Sequence, residues 1–505
     1  LLNPLHDALF APHRHSDAVV FQTTDGALIS YRSFLDLASQ YAQALVVSGV
    51  RPSDHVAFQI EKSPQAMSLY AAIIMAGAVV LPLNNAYTSA ELAYFIDDCK
   101  PCVFVCDPAM EAELQTICGP QTRVLTLDAQ GLGSLATLAA GHPHDFEVVG
   151  RKPDDLAALL YTSGTTGRSK GAMLTHDNLL SNAQVLAKYW QFTPDDILLH
   201  ALPIFHTHGL FVACNITFYV GSSMVLLPRF DLNAIVAKLP EVSVMMGVPT
   251  FYTRLLGDAR CNRDLTRDVR LFISGSAPLQ KETSDVFAQR TGHRILERYG
   301  MTETNMSVSN PYIGERRPGT VGFPLPGVEL VLRNRETGEV SAPGDVGMIE
   351  VRGPNVFKGY WGMPEKTAAE LREDGFFITG DIGVLDPEGY LQIVGRDKDM
   401  IISGGFNVYP KEVEELLDDS EGILESAVIG VPHPDLGEAV VAVVVAVSGH
   451  TIDTGKEVAR LGLSLAKYKQ PKQIFIIADL PRNAMGKVQK SQLRQQYADA
   501  FNALA

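Results

Sequence analysis

Apolar residues recur at helical spacing from Ser33 to Val47, where Phe34, Leu37, Ala38, Tyr41, Ala42 and Leu45 share one face; Ser33 reads as the N-cap and Gly49 stands just past the end. Short, uniformly apolar runs at Val56 to Ile60 and Val79 to Leu83 read as buried strands, with a helix over Ala66 to Met75 between them. Ala90 to Asp97 and Pro101 to Cys106 repeat the alternation. Such a βαβα rhythm predicts a parallel sheet covered by helices on both faces. A second cycle has strands at Ile197 to Ala201, Ser223 to Leu227, Val242 to Gly247 and Leu271 to Ser274. From Gly319 the texture shifts to short β segments, among them Val328 to Leu332, Gly347 to Arg352 and Tyr390 to Val394. These predict a small, mostly antiparallel unit. After the charged junction Gly395 to Asp399 come helices near Lys411 to Leu417 and Val458 to Ala466, and strands at Glu425 to Gly430 and Ala439 to Val447.

The predicted class is therefore α/β. A large amino-terminal region, residues 1–395, holds two doubly wound α/β subdomains plus a small β-barrel-like unit, and residues 396–505 form a small mobile α+β domain.

One stretch fits no packed core: Tyr161-Thr-Ser-Gly-Thr-Thr-Gly-Arg-Ser-Lys-Gly171. It follows the apolar strand Leu156 to Leu160 and precedes a helix starting near His176, and strand, glycine loop, helix is an arrangement that holds phosphates. Gly164, Gly167 and Gly171 let successive N–H groups converge on an anion, Thr162, Ser163, Thr165 and Thr166 add hydroxyls, and Lys170 adds a mobile charge. It is not a Walker A loop, because Gly171 rather than Ser or Thr follows the lysine.

Composition changes this picture little. A 46% apolar, 20% charged chain of 505 residues is ordinary globular protein, and a formal net charge of −15 argues against a general nucleic-acid surface. Six cysteines are few for this length and fit reduced thiols in the cytoplasm; Cys99-x-x-Cys102 lacks a second pair and reads as structural. The apolar run Leu69 to Leu83 is too short to span a bilayer, so no membrane partner is expected.

Further motifs follow in order: Phe205-His-Thr-His-Gly209, Ser274-Gly-Ser-Ala-Pro278, Tyr299-Gly-Met-Thr-Glu303, Thr379-Gly-Asp381, Gly395-Arg396, Ser403-Gly-Gly-Phe-Asn-Val-Tyr-Pro410 and Pro481-Arg-Asn-Ala-Met-Gly-Lys487. In this register they resemble the adenylate-forming acyl-CoA synthetase superfamily along essentially the whole chain, and the flanking sequence is most similar to its members that act on malonate. The resemblance implies two steps: a carboxylate attacks the α-phosphate of ATP and expels pyrophosphate, then the thiol of CoA attacks the acyl-adenylate. ATP, CoA and Mg²⁺ are the implied cosubstrates and cofactor.

Residue by residue, the resemblance assigns Lys487 to bridging the reacting carboxylate and phosphate, Thr302 to the α-phosphate, and Glu303 to Mg²⁺. Asp381 would accept from the ribose hydroxyls, with Arg396 at a ribose or phosphate. Tyr299, Gly300, Ser276, Ala277 and Pro278 would wall the adenine pocket. Lys398 matches a hinge about which the small domain turns between half-reactions, and Ser403, Gly404 and Gly405 would line the pantetheine tunnel. His206 is assigned to the acyl pocket; His208 reads as structural.

Arg298 departs from synthetases for apolar acids, which carry a small residue there. A buried guanidinium is costly opposite an alkyl chain but pairs bidentately with a second carboxylate. With Arg254 as a second clamp, this points to a short dicarboxylate, malonate and also methylmalonate. The alternatives are a synthetase for another short or aromatic acid, a carrier-protein-loading module, or a nucleotide-binding homologue without catalysis. A lysine acyltransferase and deacylase acting on Lys487 are further expected partners, since acylation would remove its charge.

Overall fold

The computed structural model describes residues 2–162, 169–404, 406–483 and 486–501. Two parallel-rich sheets dominate the amino-terminal part. The first has six strands in the order Arg123–Thr126, Val103–Cys106, His55–Gln59, Val79–Pro82, Leu156–Thr162, Lys170–Thr175. Its central strands are apolar at successive positions because helices such as Pro64–Met75 and Ser89–Cys99 leave neither face to water.

The second sheet has nine strands, ordered Phe323–Pro324, Asn305–Ser309, Leu296–Met301, Leu271–Ser274, Val244–Gly247, Ile197–His200, Ser223–Leu226, Val19–Gln22, Leu28–Ser30. The run from Leu296–Met301 to Val19–Gln22 is parallel, and antiparallel pairs finish both edges. Thus the amino-terminal Val19–Ser30 hairpin joins the later sheet, which the chain-order rhythm did not indicate.

Most predicted elements are found with ends shifted by one to four residues. Two readings change. The N-cap of helix Tyr31–Val47 is Ser30, whose side chain accepts from the Ser33 N–H; the apolar periodicity placed the helix and could not separate two serines one turn apart. The glycine loop does not open a helix. Lys170–Thr175 is a strand that pairs antiparallel with Leu156–Thr162, with Thr162 opposite Lys170, so the loop caps a hairpin; helix His176–Tyr189 begins only afterwards, N-capped by Thr175.

The chain packs as two compact units. One comprises residues 1–329 and 351–377; the other comprises residues 330–350 and 378–505. The expected β-barrel-like unit is a four-stranded sheet, Glu329–Arg333, Gly347–Arg352, Phe377–Leu385, Leu391–Arg396. This division differs from the 395/396 boundary because it groups most of that sheet with the carboxy-terminal residues. The second unit also holds a five-stranded sheet built on the long hairpin Ile423–His433 and Gly437–Ala446.

Candidate active site

In the first unit the candidate residues gather at the carboxyl ends of the nine-stranded sheet's parallel strands, where open α/β sheets bind ligands. Ser274 pairs with Glu297, so Gly275 to Pro278 leave their strand beside Arg298 to Gly300, which continue the neighbouring one. Ser276 holds φ at +72°, a conformation few non-glycine residues adopt, and Pro278 is exposed. Gly300 sits at a bulge where a Cβ would lie 1.8 Å from the Asn305 carbonyl oxygen, so no other residue fits.

Three main-chain bonds bring Lys170, Tyr360 and Glu303 together. Trp361 N–H donates to Gly171 O at 2.8 Å and Met173 N–H to Gly359 O at 2.9 Å, which lays residues 359–361 along the Lys170–Thr175 strand. Phe357 N–H donates to Glu303 O at 2.8 Å, which brings in the turn carrying Thr302 and Glu303. Tyr360 therefore stands between Lys170 and Glu303. Its hydroxyl lies 2.9 Å from Glu303 Oε1 and 2.6 Å from Glu370 Oε2, so one proton serves two carboxylates. Lys170 Nζ is 3.6 Å from Glu370 and 4.4 Å above the Tyr360 ring. Burial raises the Glu303 carboxyl above its ordinary value, with Lys170 opposing. Burial also works against Glu370, yet Lys366 at 2.6 Å and the Tyr360 hydroxyl hold it below the usual range.

Glu303 is 5% exposed, and its carboxylate accepts from the Tyr360 hydroxyl. That suits a hard cation which takes one or two carboxylates and completes its shell with phosphate oxygens and water. Among the described residues no group of three or more His, Cys, Asp or Glu forms an all-protein cage. Of the loop itself, Thr162 and Lys170 flank the hairpin tip, while Ser163, Gly164, Thr165, Thr166 and Gly167 lie outside the described residues.

The surroundings of Arg298 are different. Arg298 is 3% exposed, and its Nε and Nη2 have no hydrogen-bond partner. Burial pushes it down to about 9, offset in part by Tyr252 and Glu297, so it stays cationic at neutral pH. The guanidinium lies flat against Gly275: a Cβ there would meet its Cζ at 2.3 Å. Glu297 is no direct partner for it, since neighbours on a strand point to opposite faces, and Glu297 Oε1 accepts from Leu279 N–H at 3.1 Å.

His206 keeps partial exposure while its ring is enclosed enough for burial to push it to about 4. It leads into the π-helix His208–Cys214, a form common at functional sites. Beneath that helix the buried Lys62 ammonium contacts His200 Nδ1 at 3.2 Å, and His200 Nε2–H donates to Gly209 O at 2.8 Å. Arg254 is on the exposed side of helix Pro249–Leu256, its guanidinium 5.2 Å from the Phe230 ring centroid, whereas Arg298 is buried.

In the second unit Asp381 and Arg396 face each other across an antiparallel pair, Nε to Oδ1 at 3.0 Å, and Asp381 N–H donates to Thr379 Oγ1. Lys487 belongs to this same group. Burial first, then Arg396 and Lys398, push its amine down to about 7 against the pull of Asp381 and Asp399. Its loop is pinned by Lys487 N–H to Asn483 Oδ1 at 3.0 Å and by Arg482, which donates to Gly486 O. Lys398 lies in the short helical turn Asp397–Asp399, held through Asp399 by Arg494 and through Asp397 by Arg335. Ser403 and Gly404 form a hairpin corner in which Gly404 takes φ +58°; Gly405 lies outside the described residues.

Sequence reasoning missed Tyr360 and Glu370. Tyr360 stands 57 residues after Glu303, and nothing near it in the chain signalled a phosphate site.

The chain belongs to the AMP-binding enzyme family, whose model matches residues 10–361, with the family's carboxy-terminal domain matched over 412–487. It is 53% identical to ATP-bound MatB from Rhodopseudomonas palustris, with a TM-score of 0.97 and 99% of each chain covered. A malonate–CoA ligase of Arabidopsis thaliana is 37% identical over 453 residues, 83% of this chain and 74% of that protein. A long-chain-fatty-acid–CoA ligase of Bacillus subtilis is 33% identical over 509 residues, 93% of this chain and 90% of that protein. The chain is thus an acyl-CoA ligase that uses ATP and CoA, and relatives differ in the acid.

Proposed function

We propose that the enzyme is an ATP-dependent malonate–CoA ligase, forming malonyl-CoA through malonyl-AMP with release of pyrophosphate, and that it also takes methylmalonate. The observation that carries this reading is Arg298, a buried cation with two unpartnered nitrogens. An alkyl chain would leave that charge unpaired, whereas a distal carboxylate accepts two bonds from it. The added methyl of methylmalonate is worth only about 1–3 kcal/mol in a pocket.

In this reading the glycine loop and Lys170 hold the β- and γ-phosphates, and Thr302 meets the α-phosphate. Glu303 would hold Mg²⁺, which supplies charge neutralisation on the phosphates. Asp381 exchanges its bond to Arg396 for the ribose hydroxyls, freeing the guanidinium for phosphate. Lys487 bridges the attacking carboxylate and the α-phosphate. Its depressed value of about 7 rises when the anions arrive, so the charge is regained where it is needed. The same low value leaves a nucleophilic amine at neutral pH, which supports Lys487 as a target of a lysine acyltransferase, with a deacylase restoring activity.

Rotation about Lys398 would then clear Lys487 from the site and bring Ser403 to Gly405 to the pantetheine arm. Free thiols at all six cysteines support a reducing, cytoplasmic setting, and no helix among the described residues is long and apolar enough to cross a membrane. The test is pyrophosphate release with malonate and ATP, with and without CoA, and mass analysis of the thioester. Malonyl-CoA is expected; activation of an aromatic or long-chain acid in its place would overturn the proposal.

A further inference from the structure

The phosphate end of the first unit is internally paired, whereas the acyl end contains a second orphan besides Arg298. His208 is 1% exposed, its Nδ1 is 3.2 Å from Ser276 Oγ, and its Nε2 has no partner. A buried ring nitrogen without a partner is an unusual expense of stability in a native core. The neighbouring backbone ties it to the arginine: Gly275 receives the Arg298 guanidinium, and Ser276, the next residue, receives His208. After burial, Arg298 is the charge that acts most strongly on the imidazole, and together they hold His208 well below its ordinary value, hence neutral.

A neutral imidazole carries one N–H. Ser276 can donate its hydroxyl proton to Nδ1, which leaves the proton on Nε2, the atom without a partner. The strained φ of +72° at Ser276 is what carries its hydroxyl to this place.

We propose that His208 is a specificity-determining residue: its Nε2–H and the free Nε–H and Nη2–H of Arg298 together bind the distal carboxylate of the acid. The assignment replaces the structural role read from the sequence, and it rests on the dicarboxylate reading of Arg298. A carboxylate can accept about four hydrogen bonds, so a fork from arginine and one from imidazole fit one group without competition. The arrangement separates charge from shape. Arg298 supplies the attraction; His208, fixed by Ser276, adds a directed donor that an uncharged terminus cannot use.

The experiment compares kcat/KM for malonate and butyrate in pyrophosphate release for the unmutated enzyme, His208→Leu and His208→Gln. Malonate is expected to be favoured by the unmutated enzyme. His208→Leu should lower malonate kcat/KM about 10- to 100-fold, the worth of a hydrogen bond to a charged group, while butyrate stays level or improves. His208→Gln, which keeps an N–H near the Nε2 position, should recover part of the malonate rate. Equal losses for the two acids in His208→Leu, or no change in their ratio, would overturn the assignment. No malonate preference in the unmutated enzyme would instead overturn the reading of Arg298 on which it rests.

Discussion

Two polar clusters in the first unit are treated oppositely: one joins buried Glu303 and Tyr360 to half-buried Lys170 and Glu370, the other is buried throughout. In the first, Lys170, Tyr360, Glu303 and Glu370 satisfy one another, with a phenolic proton shared between two carboxylates and a lysine neutralising one of them. At the acyl end, Arg298 and His208 leave three buried nitrogens without partners. The first arrangement is stable without a ligand, because its groups are already paired. The second is stable only when a particular ligand completes it. A site of that kind discriminates, since an analogue lacking the partner group leaves the orphans buried.

If the contrast is right, disturbing each cluster should change a different kinetic constant. Gly275→Ala places a methyl where the Arg298 guanidinium lies, and the flexible side chain is the part that moves. It should lower malonate kcat/KM about 100-fold with little change in KM for ATP, measured by pyrophosphate release. Glu370→Gln removes the partner of Lys170 and Tyr360; KM for ATP should rise about 10-fold while the malonate-to-butyrate ratio stays fixed. A change in that ratio would merge the two clusters into one.

The smallest effect belongs to the second unit. Because the free-enzyme value of Lys487 is lowered to about 7, its protonated form is lost as pH rises through 7. The kcat/KM for ATP in adenylation should therefore fall about eightfold from pH 6.5 to 8. A flat profile would mean that the amine keeps its charge in the empty site.

The sequence was most informative where chemistry is local. Apolar runs such as Val103–Cys106 located the strands because burial on both faces demands them. Arg298 was legible as an exception within a motif. Misread features depend on distant pairing. The hairpin at Lys170–Thr175 follows from its register with Leu156–Thr162, and Tyr360 reaches Glu303 only because residues 357–361 run past both. His208 could not be separated from a core histidine until Ser276 and Gly275 were seen beside it.

The central claim is that orphaned nitrogens around Arg298 choose the acid. The direct test is the ratio of kcat/KM for malonate to that for butyrate, in the unmutated enzyme and in Arg298→Ala. The expected ratio is about 10⁴ for the unmutated enzyme, collapsing to within about 10-fold in the variant while butyrate activity persists. Equal values for the two acids in the unmutated enzyme, or an unchanged ratio in Arg298→Ala, would contradict it.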